Sequence, residues 1–284
     1  MHEEGLVSEK RIVQSSPRGE AVRLDVFGAP VDAYPSLSSF MATVRLKLES
    51  GESFLTTFVN PGSIKLARYN PAFVEALNRF DAVLPDGVGV ARAIEKLRKR
   101  EACRISFDST SAALPVFGLA SELDLGVALV GGGEGVAARA ASRLQHRFPK
   151  LRIVTAMSGF GDLEEKRELL SRINPAIVVC GMGGIAQENF LMSLADRGWR
   201  GCGFTCGGYL DQLDGGLQYY PEWVDRLNIR FAYRLFREPQ RLWRRYLIDY
   251  REFCLLYLKA ALFGPVTLPA VTLKAGGRRG DKRI

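Results

Sequence analysis

The chain has 284 residues, 47% of them hydrophobic and 25% charged. This is the make-up of an ordinary globular protein and excludes a mostly disordered, collagen-like or coiled-coil chain. The length fits two domains or one large α/β domain, with enough chain to bury a core without staples. Lys and Arg outnumber Asp and Glu 39 to 31, a net charge of +8. That balance suits an anionic partner (nucleotide phosphate, nucleic acid or an acidic membrane face), the plain alternative being a solvated basic surface.

The first 20 residues are polar, lack an apolar signal core and read as a flexible leader. From residue 21 to about 206, short β-rich runs alternate with helix-like stretches. The strand candidates are Arg23–Phe27, Phe54–Val59, Ala82–Leu84, Gly126–Val130, Arg152–Ala156, Ala176–Cys180 and Gly201–Cys206. Apolar spacing of 3.6 residues marks helices over Phe73–Phe80, Val88–Leu97, Val136–Phe148 and Glu164–Ile173. The alternation predicts an α/β core over 21–220, a Rossmann-like, mainly parallel sheet with flanking helices. No internal repeat or domain-scale linker interrupts it.

After about residue 221 the strand signals stop. Residues 226–259 carry nine basic side chains against Glu238, Asp249 and Glu252. Many arginines recur every three or four residues, the spacing of one helix face. Pro239 is expected to open a second helix after Arg237. Residues 221–273 therefore read as a basic helical appendage suited to an anionic membrane surface or to diphosphate groups, against the alternative of a solvated helix with local ion pairs. Lys274–Ile284 reads as a disordered basic tail. No run reaches the roughly 20 apolar residues of a spanning helix. The nearest, Phe253–Leu273, is broken by Lys259, Gly264, Pro265 and Pro269. Secretion and membrane spanning are disfavoured, and surface attachment is not.

Five cysteines without regular spacing make a poor disulfide framework and suit a reducing compartment. Cys202 and Cys206 lack zinc-finger spacing, and the histidines are His2 and His146 alone. D-x-D, a common device for holding a metal against a sugar nucleotide, does not occur. No metal and no cofactor are expected.

Ligands of parallel α/β sheets gather at the carboxyl ends of strands, and five such junctions stand out. At the first, Asn60, with Thr57 shortly before it, either simply caps a helix opened by Pro61 or makes that helix start an anion- or sugar-binding site. At the second, Leu84-Pro85-Asp86-Gly87-Val88-Gly89 sets a carboxylate between strand and helix. Asp86 suits either a helix cap or a general base toward a sugar hydroxyl, with Gly87 allowing close approach. At the third, Gly131, Gly132, Gly133, Glu134 and Gly135 form a turn able to present N–H groups to a nucleotide, or a tight turn with no ligand. It is neither a full dinucleotide fingerprint nor a Walker loop. At the fourth, Gly183 and Gly184 precede Gln187 and Glu188, suited to binding hydroxyls or simply to opening a helix. At the fifth, Gly207 and Gly208 precede Asp211, a ligand group or a loop support.

The order of these junctions resembles a known family. Asn60, the Leu-Pro-Asp-Gly-Val-Gly run at 84–89, Arg104-Ile105-Ser106, the Gly-Met-Gly-Gly-Ile-Ala-Gln-Glu run at 181–188, Gly207-Gly208-Tyr209-Leu210-Asp211 and Tyr233–Arg241 occur in sequence. Together they look like the WecG/TagA/CpsF glycosyltransferases of bacterial surface-polysaccharide synthesis, over roughly residues 23–258. The resemblance implies inverting, metal-independent transfer of a sugar (N-acetylmannosamine type, glucose or related). The donor would be a UDP-sugar and the acceptor a polyprenyl-diphosphate-linked glycan, in exopolysaccharide or cell-envelope synthesis. It implies a peripheral enzyme on the inner face of the cytoplasmic membrane. Asp86 inherits the role of general base, Gln187 that of an active-site glutamine, and Arg104 that of stabilising the departing diphosphate. Arg234, Arg241 and Arg244 fall on arginines thought to reach the UDP or the membrane diphosphate. Ile185 stands where the family often has Pro, Phe58 where it has a threonine, and Asp108 follows Arg104 at a different spacing. Alternatives from other classes are a nucleotide-dependent oxidoreductase using the Gly131–Gly135 turn and a non-catalytic membrane-associated binding protein. Nucleic acid is not an expected partner, because no familiar motif accompanies the arginines. The oligomeric state is left open, a homo-oligomer included.

Overall fold

The computed structural model describes residues 21–216, 224, 230–237, 239–244, 248 and 250–264. The expected leader and basic tail lie outside the described residues.

The chain opens with an antiparallel hairpin, β1 (Val22–Val26) and β2 (Ala29–Ala33). Its turn is Phe27-Gly28, both at positive φ, the twist that suits a two-residue hairpin loop. Of the two strands, β1 is evident in the sequence and β2 is not. β2 contains Pro30 and Asp32, which obscure the strand pattern. Asp32 holds the hairpin to the sheet. Its carboxylate takes two hydrogen bonds from Arg23, at 2.9 and 2.7 Å, and one from the Val83 N–H at 2.7 Å. Helix α1 (Leu37–Ser50) follows, opened by a Ser36/Ser39 capping box and closed by Gly51 in the left-handed region.

Six parallel strands then alternate with helices. They are β3 (Phe54–Val59), β4 (Ala82–Pro85), β5 (Gly126–Gly131), β6 (Arg152–Met157), β7 (Ile177–Gly181) and β8 (Cys202–Thr205). The intervening helices are α2 (Pro61–Tyr69), α3 (Pro71–Asn78), α4 (Val88–Arg98), α5 (Ala113–Glu122), α6 (Val136–Arg147), α7 (Leu163–Ile173) and α8 (Ala186–Asp196). The sheet order is β4-β3-β8-β7-β5-β6. The expected α/β, Rossmann-like parallel sheet is therefore present, with strand ends within two residues of those expected.

Strand side chains alternate between two buried layers, one on each face. Val83, Val130 and Val178 join one cluster; Leu84, Leu129 and Val179 join the other. Burial on both faces explains why these strands read as continuous apolar runs.

Four helices end the described chain: α9 (Tyr209–Gly215), α10 (Arg230–Arg237), α11 (Pro239–Arg244) and α12 (Tyr250–Phe263). Pro239, expected to open a second helix, is the first residue of α11. Helix α12, which the sequence reading assigned to the appendage, docks on the core. Phe253, Leu256 and Ala260 are buried in the first cluster, and Phe253 meets Phe27 edge to face at 5.7 Å. The opposite side of α12 exposes Leu255, Leu258, Leu262 and Phe263. Among the described residues no helix is long and apolar enough to cross a membrane.

Candidate active site

The carboxyl ends of the parallel strands open into one cavity of about 860 Å³. Its wall takes residues from the junctions after all six strands. The chain leaves β5 toward β6 on one side and β7 toward β8 on the other, so the switch point lies between β5 and β7. There Gly131 and Gly181 face each other in register. A Cβ on Gly131 would stand 2.4 Å from the Gly181 carbonyl oxygen, and one on Gly181 would stand 2.6 Å from that of Gly207. Only glycine lets these backbones approach so closely.

Asp86 follows β4 directly. Its carboxyl caps no helix, because Gly87, at φ +93, holds the N-cap of α4 without a side-chain cap. The Asp86 N–H donates to the Val59 carbonyl at 2.9 Å, tying the ends of β3 and β4 together. Its Oδ1 accepts from Ser106 Oγ at 2.5 Å. Ser106 is buried and also lines the cavity. Its loop rests on an aromatic cluster in which Phe107 lies within 6.0 Å of Phe58, Phe117, Phe204 and Tyr209.

Arg104 is held by Asp108, Nη2 to Oδ2 at 2.6 Å. Asp108 lines the cavity and Arg104 does not. Asp108 Oδ1 also accepts from the Thr110 N–H and hydroxyl, at 2.9 and 2.6 Å.

A buried polar chain crosses the sheet between β3, β8 and α8. Thr57 Oγ1 donates to Glu188 Oε1 at 2.9 Å and meets Thr205 Oγ1 at 2.9 Å. Gln187 Nε2 donates to the same Glu188 oxygen at 3.1 Å, and Gln187 Oε1 accepts from the Gly207 N–H at 3.1 Å. Glu188 Oε2 has no hydrogen-bond partner among the described residues. Burial pushes the Glu188 carboxyl above the ordinary range, against the hydrogen bonds that Gln187 and Thr57 give to Oε1. Helix α8 starts at Ile185, with φ +69 and ψ −48. A proline ring holds φ near −65°, so the family's Pro does not fit this turn as it stands.

Of the residues singled out from sequence, the cavity wall holds Asn60, Asp86, Asp108, Gly132, Gly133, Gly183, Gly184, Gln187, Glu188, Gly207, Gly208 and Asp211. Asn60 also caps α2, accepting from the Gly62 and Ser63 N–H groups. Thr57, Gly87, Gly131, Glu134 and Arg104 are not on the wall. Thr57 stands behind Glu188, Gly131 packs against Gly181, and Glu134 is exposed. The side chains of Arg234 and Arg241 lie outside the described residues. Arg244 is exposed, its guanidinium 5.8 Å from the Trp243 ring centre.

Sequence reasoning missed Lys65 and Tyr69, which also line the cavity. They lie one turn apart on α2, and their i,i+4 spacing was the available signal. The Tyr69 hydroxyl donates to Glu252 of α12 at 2.8 Å, and Arg68 pairs with the same carboxylate at 3.1 Å. This anchors α12 at the cavity edge. Among the described residues no group of three or more His, Cys, Asp or Glu is placed to hold a metal ion.

A doubly covered parallel sheet with a half-polar cavity at its carboxyl edge is the arrangement in which α/β proteins bind their ligands. The profile of the Glycosyl transferase WecG/TagA/CpsF family matches residues 24–266. The chain belongs to this family and is a glycosyltransferase. It is 27% identical over 214 residues to a UDP-Gal:alpha-D-GlcNAc-diphosphoundecaprenol beta-1,4-galactosyltransferase of Shigella boydii, covering 73% of this chain and 87% of that protein. It is 26% identical over 203 residues to an N-acetylglucosaminyldiphosphoundecaprenol N-acetyl-beta-D-mannosaminyltransferase of Bacillus subtilis, covering 71% of this chain and 77% of that one. The enzyme of the same name from Bacillus spizizenii is 27% identical over 216 residues, covering 75% and 81%.

Proposed function

We propose that this enzyme transfers a hexose or N-acetylhexosamine from a UDP-sugar to a polyprenyl-diphosphate-linked glycan, with inversion and without a metal. The single observation that carries the reading is the Asp86 carboxyl, free of any capping duty and oriented by Ser106 on the wall of the strand-end cavity. The relatives' printed names supply the substrate classes.

In this mechanism Asp86 takes the proton of the acceptor hydroxyl. That oxygen attacks the anomeric carbon as its bond to the diphosphate breaks, and UDP leaves. One displacement with one base inverts the anomeric centre. The glycine turns at 131–133, 183–184 and 207–208 bring backbone groups close to the nucleotide. Gln187, Glu188, Asn60 and Asp211 contribute polar contacts. Arg104 leaves Asp108 to meet the developing diphosphate charge, and Arg234, Arg241 and Arg244 add to it; guanidinium groups suit that task in a site without a metal.

Catalysis is assigned to residues 21–220. Engagement of the lipid diphosphate and of an anionic membrane surface is assigned to 221–273. The exposed apolar residues of α12, with Arg251 and Lys259 exposed on the same helix, support attachment at the cytoplasmic face.

The test offers purified enzyme UDP-galactose, UDP-glucose and UDP-N-acetylmannosamine with a polyprenyl-diphosphate-linked N-acetylglucosamine acceptor, in EDTA and in Mg²⁺. Release of UDP with a product of inverted anomeric configuration, equal in both buffers, is the expected result. Retention of configuration overturns the single-displacement step, activity confined to Mg²⁺ overturns metal independence, and no transfer from any donor overturns the substrate assignment.

A further inference from the structure

The cavity holds a second carboxyl that the transfer chemistry leaves without a specific task. Glu188 is only 2% exposed, yet it lines the cavity. Its two oxygens differ. Oε1 accepts from Thr57 and from Gln187. Because Thr57 gives its only proton to Glu188, the Thr57–Thr205 contact is donated by Thr205. The chain thus runs in one direction, Thr205 to Thr57 to Glu188, and fixes Oε1 as an acceptor. Oε2 has no partner among the described residues. Buried polar atoms are nearly always paired, because an unpaired one loses its hydration with nothing in return. One that sits on a ligand cavity is an unfilled contact for the ligand.

We propose that Glu188 is a specificity-determining residue that donates a hydrogen bond from Oε2 to an acceptor oxygen of the bound donor substrate. That oxygen is a carbonyl of the nucleobase or an oxygen of the transferred sugar. The inference rests on the reading of this cavity as a UDP-sugar site. With Oε1 already taking two donors, a carboxyl proton belongs on Oε2, which no hydrogen-bonding group among the described residues occupies.

The surroundings favour that protonated form. Burial pushes the carboxyl up. Cys180 of β7 is pushed up by burial, and Cys206 after β8 is pushed up to about 12, so neither thiol brings a charge near neutral pH. Thr57 of β3 and Thr205 of β8 are uncharged. The other ionisable groups on the cavity wall are Lys65 and Tyr69 of α2, Asp86, Asp108, and Tyr209 and Asp211 of α9.

The experiment is calorimetric titration of UDP, UDP-galactose, UDP-glucose and UDP-N-acetylmannosamine into wild type, Glu188→Gln and Glu188→Leu. It runs from about pH 6 to about pH 9, a range above the ordinary carboxyl range. Glu188→Gln keeps an acceptor toward Thr57 and Gln187 and places an N–H donor where Oε2 stood. It is expected to bind like wild type where the wild-type carboxyl is protonated and to lack the weakening that wild type shows once that carboxyl ionises. Glu188→Leu is expected to lose roughly ten- to hundredfold in affinity. A loss already seen with UDP assigns the contact to the nucleotide; a loss seen only with the UDP-sugars assigns it to the sugar. Wild-type binding retained in full by Glu188→Leu overturns the Glu188 proposal alone. So does a Glu188→Gln protein that melts like wild type but binds as weakly as Glu188→Leu. No binding of any of the four by wild type overturns the UDP-sugar reading and this proposal together.

Discussion

Ser106 Oγ donates to Asp86 Oδ1 at 2.5 Å across 20 residues of chain. The bond orients the carboxyl, and the proposed mechanism uses its other oxygen, Oδ2, for the incoming hydroxyl. Asp86→Asn is expected to abolish turnover while preserving the thermal melt. Ser106→Ala is expected to lower kcat roughly ten- to hundredfold with KM nearly unchanged, because the base is present but less well placed. Steady-state kinetics beside melting curves check both. Near-normal turnover in Asp86→Asn removes Asp86 from the mechanism.

The Arg104–Asp108 pair competes with any anion for the guanidinium. Arg104→Ala is expected to weaken UDP binding about tenfold or more. Asp108→Asn removes a negative charge from the cavity wall and frees Arg104, so UDP binding is expected to tighten severalfold at low salt and less at high salt. Calorimetry at two ionic strengths reads both effects. Tightening in Arg104→Ala would show that this arginine does not serve the diphosphate.

Stability carries a signature of Glu188. Its folded-state carboxyl titrates above the ordinary range because of burial, whereas in the unfolded chain it titrates near about 4.3. Between those values the folded state keeps a proton that the unfolded state has lost. Stability therefore falls as pH rises through that window. Glu188→Gln is expected to remove this fall. The acid side should be unchanged, because Glu52, Glu122, Glu164 and Asp214 are held below the usual range by Lys47, Arg45, Arg197 and Arg139. Their contribution is lost as pH drops, in wild type and variant alike. Urea unfolding at a series of pH values decides; parallel curves for the two proteins contradict the assignment.

Helix α12 has two faces with separable roles. Phe253→Ala is expected to cost about 3–5 kcal/mol of stability, the usual range for emptying a buried aromatic site. Leu258→Glu and Phe263→Glu, on the exposed face, should leave unfolding unchanged while reducing co-sedimentation with anionic vesicles. Equal loss of stability from both faces would show that the outer residues pack against the protein. Truncation from residue 226 removes the buried Phe253, Leu256 and Ala260 as well, so it is expected to destabilise the core and not only to lower activity.

Much of the site was legible because its signals are local. Asn60 before Pro61 announces a helix cap on any chain, and the cap is there. Glycines after β5 and β7 announce tight turns, and those turns form the cavity floor. The apolar runs of the parallel strands follow from burial on both faces, a property written residue by residue. The β1–β2 hairpin was only half legible, because Pro30 and Asp32 break the alternation and Asp32 finds its partner Val83 51 residues away.

The sequence by itself determined the α/β alternation, the strand ends, the basic C-terminal region and the family. The first three rest on periodicity, capping and charge spacing within a few tens of residues, and the family on the order of motifs from Asn60 to Arg241. Only the tertiary structure decided that Ser106 orients Asp86, that Asp108 holds Arg104, and that Thr57 lies behind Glu188 instead of on the cavity wall. It also decided that α12 packs Phe253, Leu256 and Ala260 against the core. Those outcomes depend on the sheet order β4-β3-β8-β7-β5-β6, which brings residues 57, 188 and 205 within hydrogen-bond reach. No local spacing encodes which strand lies beside which; that is settled by how the crossovers bury both faces of the sheet at once.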